Sequence, residues 1–361
     1  MGRPAGYREI LNRSIETLFK DAANLAVRSP SMALYLVQAL IHQRKAAKER
    51  ERWAEQGVKV PPIMIASVTN RCNLNCQGCY NRAQHRPIGQ EMSAAEWQRV
   101  FTDARDLGVS IVLLAGGEPL VRPEILDVAA SLPEIVFPVF TNGLLVDEPF
   151  VSRLKAARNL VPVLSVEGHE DETDQRRGEG VYDRLRRATS VLHEAGVFFG
   201  LSLTVTSANF NTVTSDAFIR ECIDTGCRLF FFVEYVPAKE GTEALMLSDD
   251  QKAGLMAATA AFRKAFPGLF VAFPGDEEEM GGCVAAGRGF VHVSATGDLE
   301  PCPFSPYSDT NLRTTPLKDA LRSRFLEAIR QDDDRLARTK GGCALFENRE
   351  WVRSLLAKDN R

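Results

Sequence analysis

Ser67-Val68-Thr69-Asn70-Arg71-Cys72-Asn73-Leu74-Asn75-Cys76-Gln77-Gly78-Cys79-Tyr80 begins at the end of an apolar, strand-like run at 63–68. A strand that ends in such a loop puts its thiols at the C-terminal mouth of a parallel sheet, where β/α folds gather their chemistry. No β-branched residue separates the three cysteines, and Gly78 allows close backbone approach, so all three sulfurs can turn toward one compact cofactor. A structural zinc would want four ligands, and the only nearby candidate, His85, lacks conventional spacing. A cubane iron–sulfur cluster held by three cysteines keeps one iron open for a further ligand.

Working outward, the chain alternates strand and helix patterns. Strand-like runs fall at 63–68, 110–114, 135–140, 161–166, 198–205 and 229–235. They are short, apolar on both faces and rich in β-branched or aromatic residues, as buried parallel strands are. Helical patterns lie between them at 93–107, 122–131, 147–157, 182–195 and 211–225, the first opened by a Ser93/Glu96 capping box. Gly108, Gly196 and Gly226 stand where C-terminal glycine caps belong. Six β/α units in series predict an α/β fold, a partial (βα)6 barrel.

Two flanking segments differ in character. Residues 7–56 carry helical apolar stripes, broken at Ser29-Pro30-Ser31 and followed by a charged run at 44–55. A helical pair packed on the main domain explains them, and apolar residues followed by Lys and Arg also suit an anionic membrane surface. After a helix at 248–266, residues 271–361 read as a small cysteine-containing subdomain: a hairpin around Thr296-Gly297-Asp298, a helix at 317–330, and Cys283, Cys302 and Cys343. The expected division is therefore 1–60, 61–270 and 271–361. Asp276–Glu279 and Asp332–Asp334 read as solvated loop charges.

Bulk composition recommends neither nucleic-acid binding nor secretion. A net charge of −3 and eight cysteines among 361 residues, three of them crowded together, give no global attraction to nucleic acid and no disulfide framework. No stretch reads as a secretory signal or a bilayer span. A reducing cytoplasmic compartment is the expectation.

Cys72-x3-Cys76-x2-Cys79 followed by an aromatic residue resembles the signature of the radical S-adenosylmethionine (SAM) superfamily. The resemblance implies a [4Fe-4S] cluster that binds SAM at its unique iron and takes one electron from an external donor such as flavodoxin or ferredoxin. SAM is thereby cleaved to a 5′-deoxyadenosyl radical that abstracts hydrogen from a substrate or adds to it. The likeness extends to Gly116-Gly117-Glu118-Pro119 after the second strand, which in the family holds the SAM amino group. Asn142 in Thr141-Asn142-Gly143 resembles a further family segment, although a plain turn explains it too.

On the fourth strand Ser165 and Glu167 share one face, which the resemblance directs toward SAM. Arg177 resembles the arginine that pairs with the SAM carboxylate, with Arg176 as its rival. Thr204 is a ribose candidate, Val236 lies in an adenine-lining segment, and the backbone of Tyr80 is expected at the adenine edge. Glu234 either faces the cavity as a catalytic group or pairs with Lys239.

Cys283, Cys302 and Cys343, each near glycine, resemble the auxiliary-cluster region called SPASM or its shorter twitch form. Only three of that region's seven cysteines are present. The readings are a second [4Fe-4S] cluster with an open or non-cysteine position, or buried free thiols. Cys222 and Cys227 read as core. The leading expectation is a radical SAM enzyme acting on a peptide or protein. The alternatives are a lipid or isoprenoid substrate met at a membrane, or a non-catalytic iron–sulfur redox protein.

Overall fold

The computed structural model describes residues 7–25, 30–84, 90–273, 281–337 and 343–357. Among them, nine strands form one sheet in the order β7-β6-β5-β4-β3-β2-β1-β8-β9. These are β1 (Ile63–Ser67), β2 (Ile111–Ala115), β3 (Phe137–Thr141), β4 (Leu160–Val166), β5 (Gly200–Val205), β6 (Leu229–Glu234), β7 (Leu269–Phe273), β8 (Phe290–Val293) and β9 (Leu299–Glu300). All six strands expected from the sequence form and pair in parallel, each beside its sequence neighbour. The helices Ala94–Leu107, Pro123–Ala130, Glu148–Ala156, Val181–Glu194 and Asp216–Asp224 connect them. Ser93 and Glu96 make the expected capping box, and Gly108 closes the same helix in the left-handed region at φ 97°.

Two strands go beyond the expectation. β7 pairs in parallel with β6, and β8 pairs in parallel with β1 on the opposite edge of the sheet. The boundary expected at 270 therefore falls inside β7, and the sheet runs on into the C-terminal hairpin. The hairpin itself forms as expected, β8 antiparallel to β9 with His292 opposite Glu300. The helix expected at 317–330 is two pieces, Leu317–Ala320 and Arg324–Arg330, because Ser323 caps a fresh start by accepting the Leu326 N–H. The helix Glu170–Arg177 had no apolar periodicity to announce it. His85, Asp276–Glu279 and Gly341-Gly342 lie outside the described residues.

Strand parity divides the core in two. Val112, Leu114, Val139, Leu164, Leu203, Phe230 and Phe232 pack outward against the helices. Ile111, Val136, Val161, Val163, Leu229, Phe231 and Leu269 face the other way, into the curve of the sheet, near the strand starts. There they meet Leu11, Ile15 and Phe19 of α1 (Tyr7–Leu25) and Met32, Tyr35, Leu36 and Ala39 of α2 (Pro30–Glu55). The helical pair thus packs on the main domain as a plug in the floor of the barrel. The charged run at 44–55 continues α2, and buried Arg50 ties it to the barrel through the Gly108 carbonyl. No helix among the described residues is long and apolar enough to cross a membrane.

Candidate active site

The cysteine loop is held from below and from the side. Glu91 accepts Thr69 Oγ1–H at 2.9 Å and the Asn70 N–H at 2.8 Å through Oε1, while buried Arg122 reaches Glu91 Oε2 at 3.1 Å. Neither residue stood out in the sequence, since lone charges carry no pattern. From the side, the Gly117 N–H donates to the Thr69 carbonyl at 2.6 Å and the Glu118 N–H to the Arg71 carbonyl at 2.8 Å. Gly116 sits at φ 125°, and a Cβ on either glycine would run into the Thr69 or Arg71 carbonyl oxygen. Only glycine permits this stitching.

Glu118 is buried among three hydrogen-bond donors. Its Oε1 accepts the Leu120 N–H at 3.0 Å and Thr141 Oγ1–H at 2.8 Å, and Oε2 accepts the Asn142 N–H at 2.8 Å. Burial raises its pKa, opposed by those hydrogen bonds. Pro119 follows as the first residue of the one-turn helix Pro119–Val121. Asn142 then extends Nδ2 to Asn73 Oδ1 at 2.7 Å and toward Cys72 Sγ at 3.9 Å. Gly116–Pro119 and Asn142, distant in sequence, therefore converge on the first cysteine.

The other two cysteines face the fourth strand. The Gln77 N–H donates to the Arg176 carbonyl at 2.8 Å, anchoring the loop to the helix Glu170–Arg177. Glu167, just past β4, accepts Arg177 Nε at 2.8 Å and Arg176 Nη1 on the same Oε1. Its Oε2 is buried and finds no partner among the described residues. Burial opposes the charge of Arg177, yet the Glu167 carboxylate and the Cys76 and Cys79 thiols hold its pKa above the usual value. Arg176 and Arg177, the two rival candidates, bind the same carboxylate.

Ser165 and Thr204 lie on the inward face with the buried Ser202, which the sequence reading had passed over. Asn209, also unanticipated, ties the strand ends together by donating to the carbonyls of Glu167 at 2.7 Å and Thr204 at 2.9 Å. Val236 is buried in the loop after β6, beside Tyr235, whose hydroxyl donates to Thr242 Oγ1 at 2.8 Å. Tyr235 packs so closely on Gly78 (φ 67°) that a Cβ there would overlap the phenol.

Glu234 corrects its expectation. It shares the parity of Phe230 and Phe232, which face the helices, and its Oε1 lies 3.9 Å from Lys252 Nζ on the helix Asp249–Ala265. It neither faces the barrel interior nor pairs with Lys239.

The thiols suit a cluster. Cys72, Cys76 and Cys79 are half-buried; Cys72 feels the charges of Cys76 and Cys79, and Cys76 that of Cys79. Burial raises Cys72 and Cys76, while Arg177 and Arg176 pull Cys76 back toward thiolate. The Leu74 N–H donates to Cys72 Sγ at 3.4 Å, the kind of amide–sulfur contact that supports iron–sulfur ligands. Among the described residues no three His, Cys, Asp or Glu side chains converge as around a single ion.

Residues 66–216 match the Radical SAM superfamily. The chain carries a radical SAM domain. It is an enzyme of that superfamily, whose members use a [4Fe-4S] cluster and SAM. An AdoMet-dependent heme synthase of Methanosarcina barkeri is 26% identical over 315 residues, covering 80% of this chain and 88% of that protein. A PqqA peptide cyclase of Gluconobacter oxydans is 28% identical over 255 residues, covering 67% and 70%. Streptococcus suis SuiB bound to its precursor peptide SuiA shares the fold, with a TM-score of 0.64 at 19% identity over 85% of this chain and 77% of that one.

A second group of thiols lies in the C-terminal region. Cys302 is hydrogen-bonded to Cys343 and feels the charge of Cys283; the contact with Cys343, then burial, raises its pKa well above the ordinary value. The Phe304 N–H points at Cys302 Sγ at 3.5 Å. Cys222 and Cys227 are buried in the core, as expected, and burial pushes Cys227 up to about 12.

Proposed function

We propose that this radical SAM enzyme binds its cluster through Cys72, Cys76 and Cys79 and acts on a peptide substrate at the barrel mouth. The observation that carries the site assignment is the convergence of Glu118–Asn142 and Glu167–Arg177 on opposite sides of one cysteine loop. Held by these three cysteines, the cluster with SAM would supply the radical chemistry that takes hydrogen from the substrate or adds to it. The chain's own part is to hold and screen. Gly116, Gly117 and Glu118 offer backbone and carboxylate acceptors for the SAM amino group. Arg177 meets the SAM carboxylate, and the unpartnered Glu167 Oε2 accepts a hydroxyl or amino proton. Ser165 and Thr204 line the ribose side, and Val236 and the Tyr80 backbone face the adenine. Apolar barrel walls keep water from the radical.

Cys283, Cys302 and Cys343 are offered as ligands of a second [4Fe-4S] cluster whose fourth position is open or filled by another group. Buried Cys302 is hydrogen-bonded to half-buried Cys343 and feels the charge of Cys283, and neighbouring thiolates repel one another unless a metal compensates them. Peptide is the favoured substrate because both the peptide cyclase and the peptide-bound SuiB span most of their length on this chain. A haem precursor is the second reading, supported by the longer match to the heme synthase.

The electron is taken from a flavodoxin or ferredoxin in a reducing cytoplasm, consistent with eight free cysteines among the described residues. Leu34, Val37 and Ile41 form an exposed ridge on α2, 62%, 48% and 48% accessible, followed by exposed Arg44 and Lys45. That ridge supports contact between residues 7–56 and an anionic membrane surface. The reaction is tested by anaerobic reconstitution, reduction and assay for 5′-deoxyadenosine. Its formation by wild type and loss in Cys76→Ala is the expected result; none from wild type removes the proposal.

A further inference from the structure

A chain of buried polar groups runs from the cysteine loop into the C-terminal hairpin, and no step above uses it. Ser67, the last residue of β1, brings Oγ to 2.8 Å from His292 Nε2 on β8. The opposite ring nitrogen, Nδ1, lies 2.8 Å from Glu300 Oε2 on β9. The Tyr80 phenol is hydrogen-bonded to the same Ser67, and burial pushes it above its usual range. Ser67, His292 and Glu300 are each at least nine-tenths buried. A carboxylate only accepts, so Nδ1 carries its proton toward Glu300, and Ser67 meets the ring at Nε2.

Tyr80 is the residue immediately after Cys79. Its ring meets Phe304 edge-on, with centroids 5.3 Å apart, and Phe304 directs its N–H at Cys302 Sγ. Gln84, one turn on, donates to the Pro303 carbonyl. A polar cavity of about 20 Å³ lies against Ser67, Tyr80 and His292, with Asn70 and Ser294 beside them. That is room for one water. The hairpin thus grips the far end of the cluster loop, as Glu91 and Gly117 grip its near end.

We infer that His292 is a positioning residue for the SAM-binding cluster, acting through Ser67 and Tyr80 with Glu300 as its brace. The inference rests on the cluster site proposed at Cys72, Cys76 and Cys79. Its chemistry is that of ligands held in place by outer hydrogen bonds: removing such a partner typically weakens metal retention or activity by roughly 10–100-fold. Removing His292 alone would take a hydrogen-bond partner from the buried Glu300 carboxylate, so the decisive variants avoid that.

Ser67→Ala cuts the link and leaves the His292–Glu300 pair intact. His292→Leu with Glu300→Leu removes the pair as a unit. His292→Gln restores one donor and one acceptor. The readouts on anaerobically reconstituted protein are the rate of iron loss to a chelator, the EPR signal of the reduced cluster with and without SAM, and the melting temperature. Expected are roughly ten-fold faster iron loss and an altered SAM-dependent EPR signal in Ser67→Ala and the double leucine variant. Melting temperatures should stay near wild type, with His292→Gln returning most of the way. If the leucine variant does not fold, Ser67→Ala decides alone. Wild-type iron loss and EPR in Ser67→Ala, or a glutamine variant as impaired as the leucines, overturns the inference. That result alongside normal SAM cleavage would leave the enzyme reading standing, whereas wild type that never cleaves SAM would remove that reading instead.

Discussion

Arg177 grips Glu167 through one carboxylate oxygen, with Nε at 2.8 Å and Nη2 at 2.5 Å from Oε1, and leaves Oε2 buried without a partner among the described residues. An acceptor left open in an interior is costly unless a ligand completes it. Glu167→Gln keeps the shape, discards the charge and leaves two guanidinium groups without their counter-ion. Equilibrium dialysis is expected to show SAM binding weakened at least ten-fold. Thermal unfolding should show a loss of about 3 kcal/mol, the usual cost of breaking a buried pair. Unaltered SAM affinity would detach this pair from the cofactor site.

Glu118 offers a sharper comparison, because Leu120, Thr141 and Asn142 all donate to it. In Glu118→Gln one amide NH2 must face a backbone N–H or turn away from it. The expected cost is about 1–3 kcal/mol, with iron content falling because Asn142 loses its anchor beside Cys72. Full iron occupancy and wild-type stability in that variant would count against the arrangement.

Glu234 predicts a pH dependence away from the chemistry. Burial, with Glu347 and Asp249 nearby and Lys252 opposing, pushes its pKa from 4.5 up to about 7. The folded state therefore holds this proton more tightly than the unfolded chain. The stability it contributes is complete below pH 4.5 and is lost as pH rises through about 7. Glu234→Gln should match wild type in denaturant unfolding at the acid end. It should exceed wild type by at most about 3 kcal/mol at pH 8. SAM cleavage should be unaffected, since the side chain faces the helices; a loss of 5′-deoxyadenosine formation would return Glu234 to the active site.

Iron and sulfide counts test the second group of thiols. Cys283, Cys302 and Cys343 replaced together by Ala should lower iron by about half if both sites carry four-iron clusters. Iron content equal to wild type would leave these residues as packed thiols.

The floor plug is tested by Phe19→Ala. Phe19 is buried against the strand starts, and removing such a ring costs about 3–5 kcal/mol. Loss of stability with the cysteine loop still able to bind iron is the expected pattern, read by melting and metal analysis. A variant as stable as wild type would mean that α1 is not integral to the core.

Much of this molecule was legible because its signals are local. Six strands announce themselves by composition, and Cys72, Cys76 and Cys79 by spacing. Gly116 and Gly117 do so by standing one β/α unit later. What escaped depends on pairing over long range. Nothing near Phe290–Val293 says that this segment lies beside β1, so the continuity of the sheet was invisible, and with it the meeting of His292 with Ser67. The helix Glu170–Arg177 is almost wholly charged, so its identity rests on capping and on Glu167 rather than on an apolar stripe. Glu234 was misjudged because orientation at a strand's last residue is set by the sheet's parity, which is known only once the neighbouring strands are placed.

The helical plug beneath the strands has one more consequence. Among the described residues α1 and α2 fill the floor beneath the strand starts. A polymer substrate therefore cannot thread the barrel from mouth to floor and meets the cysteine loop from the mouth side.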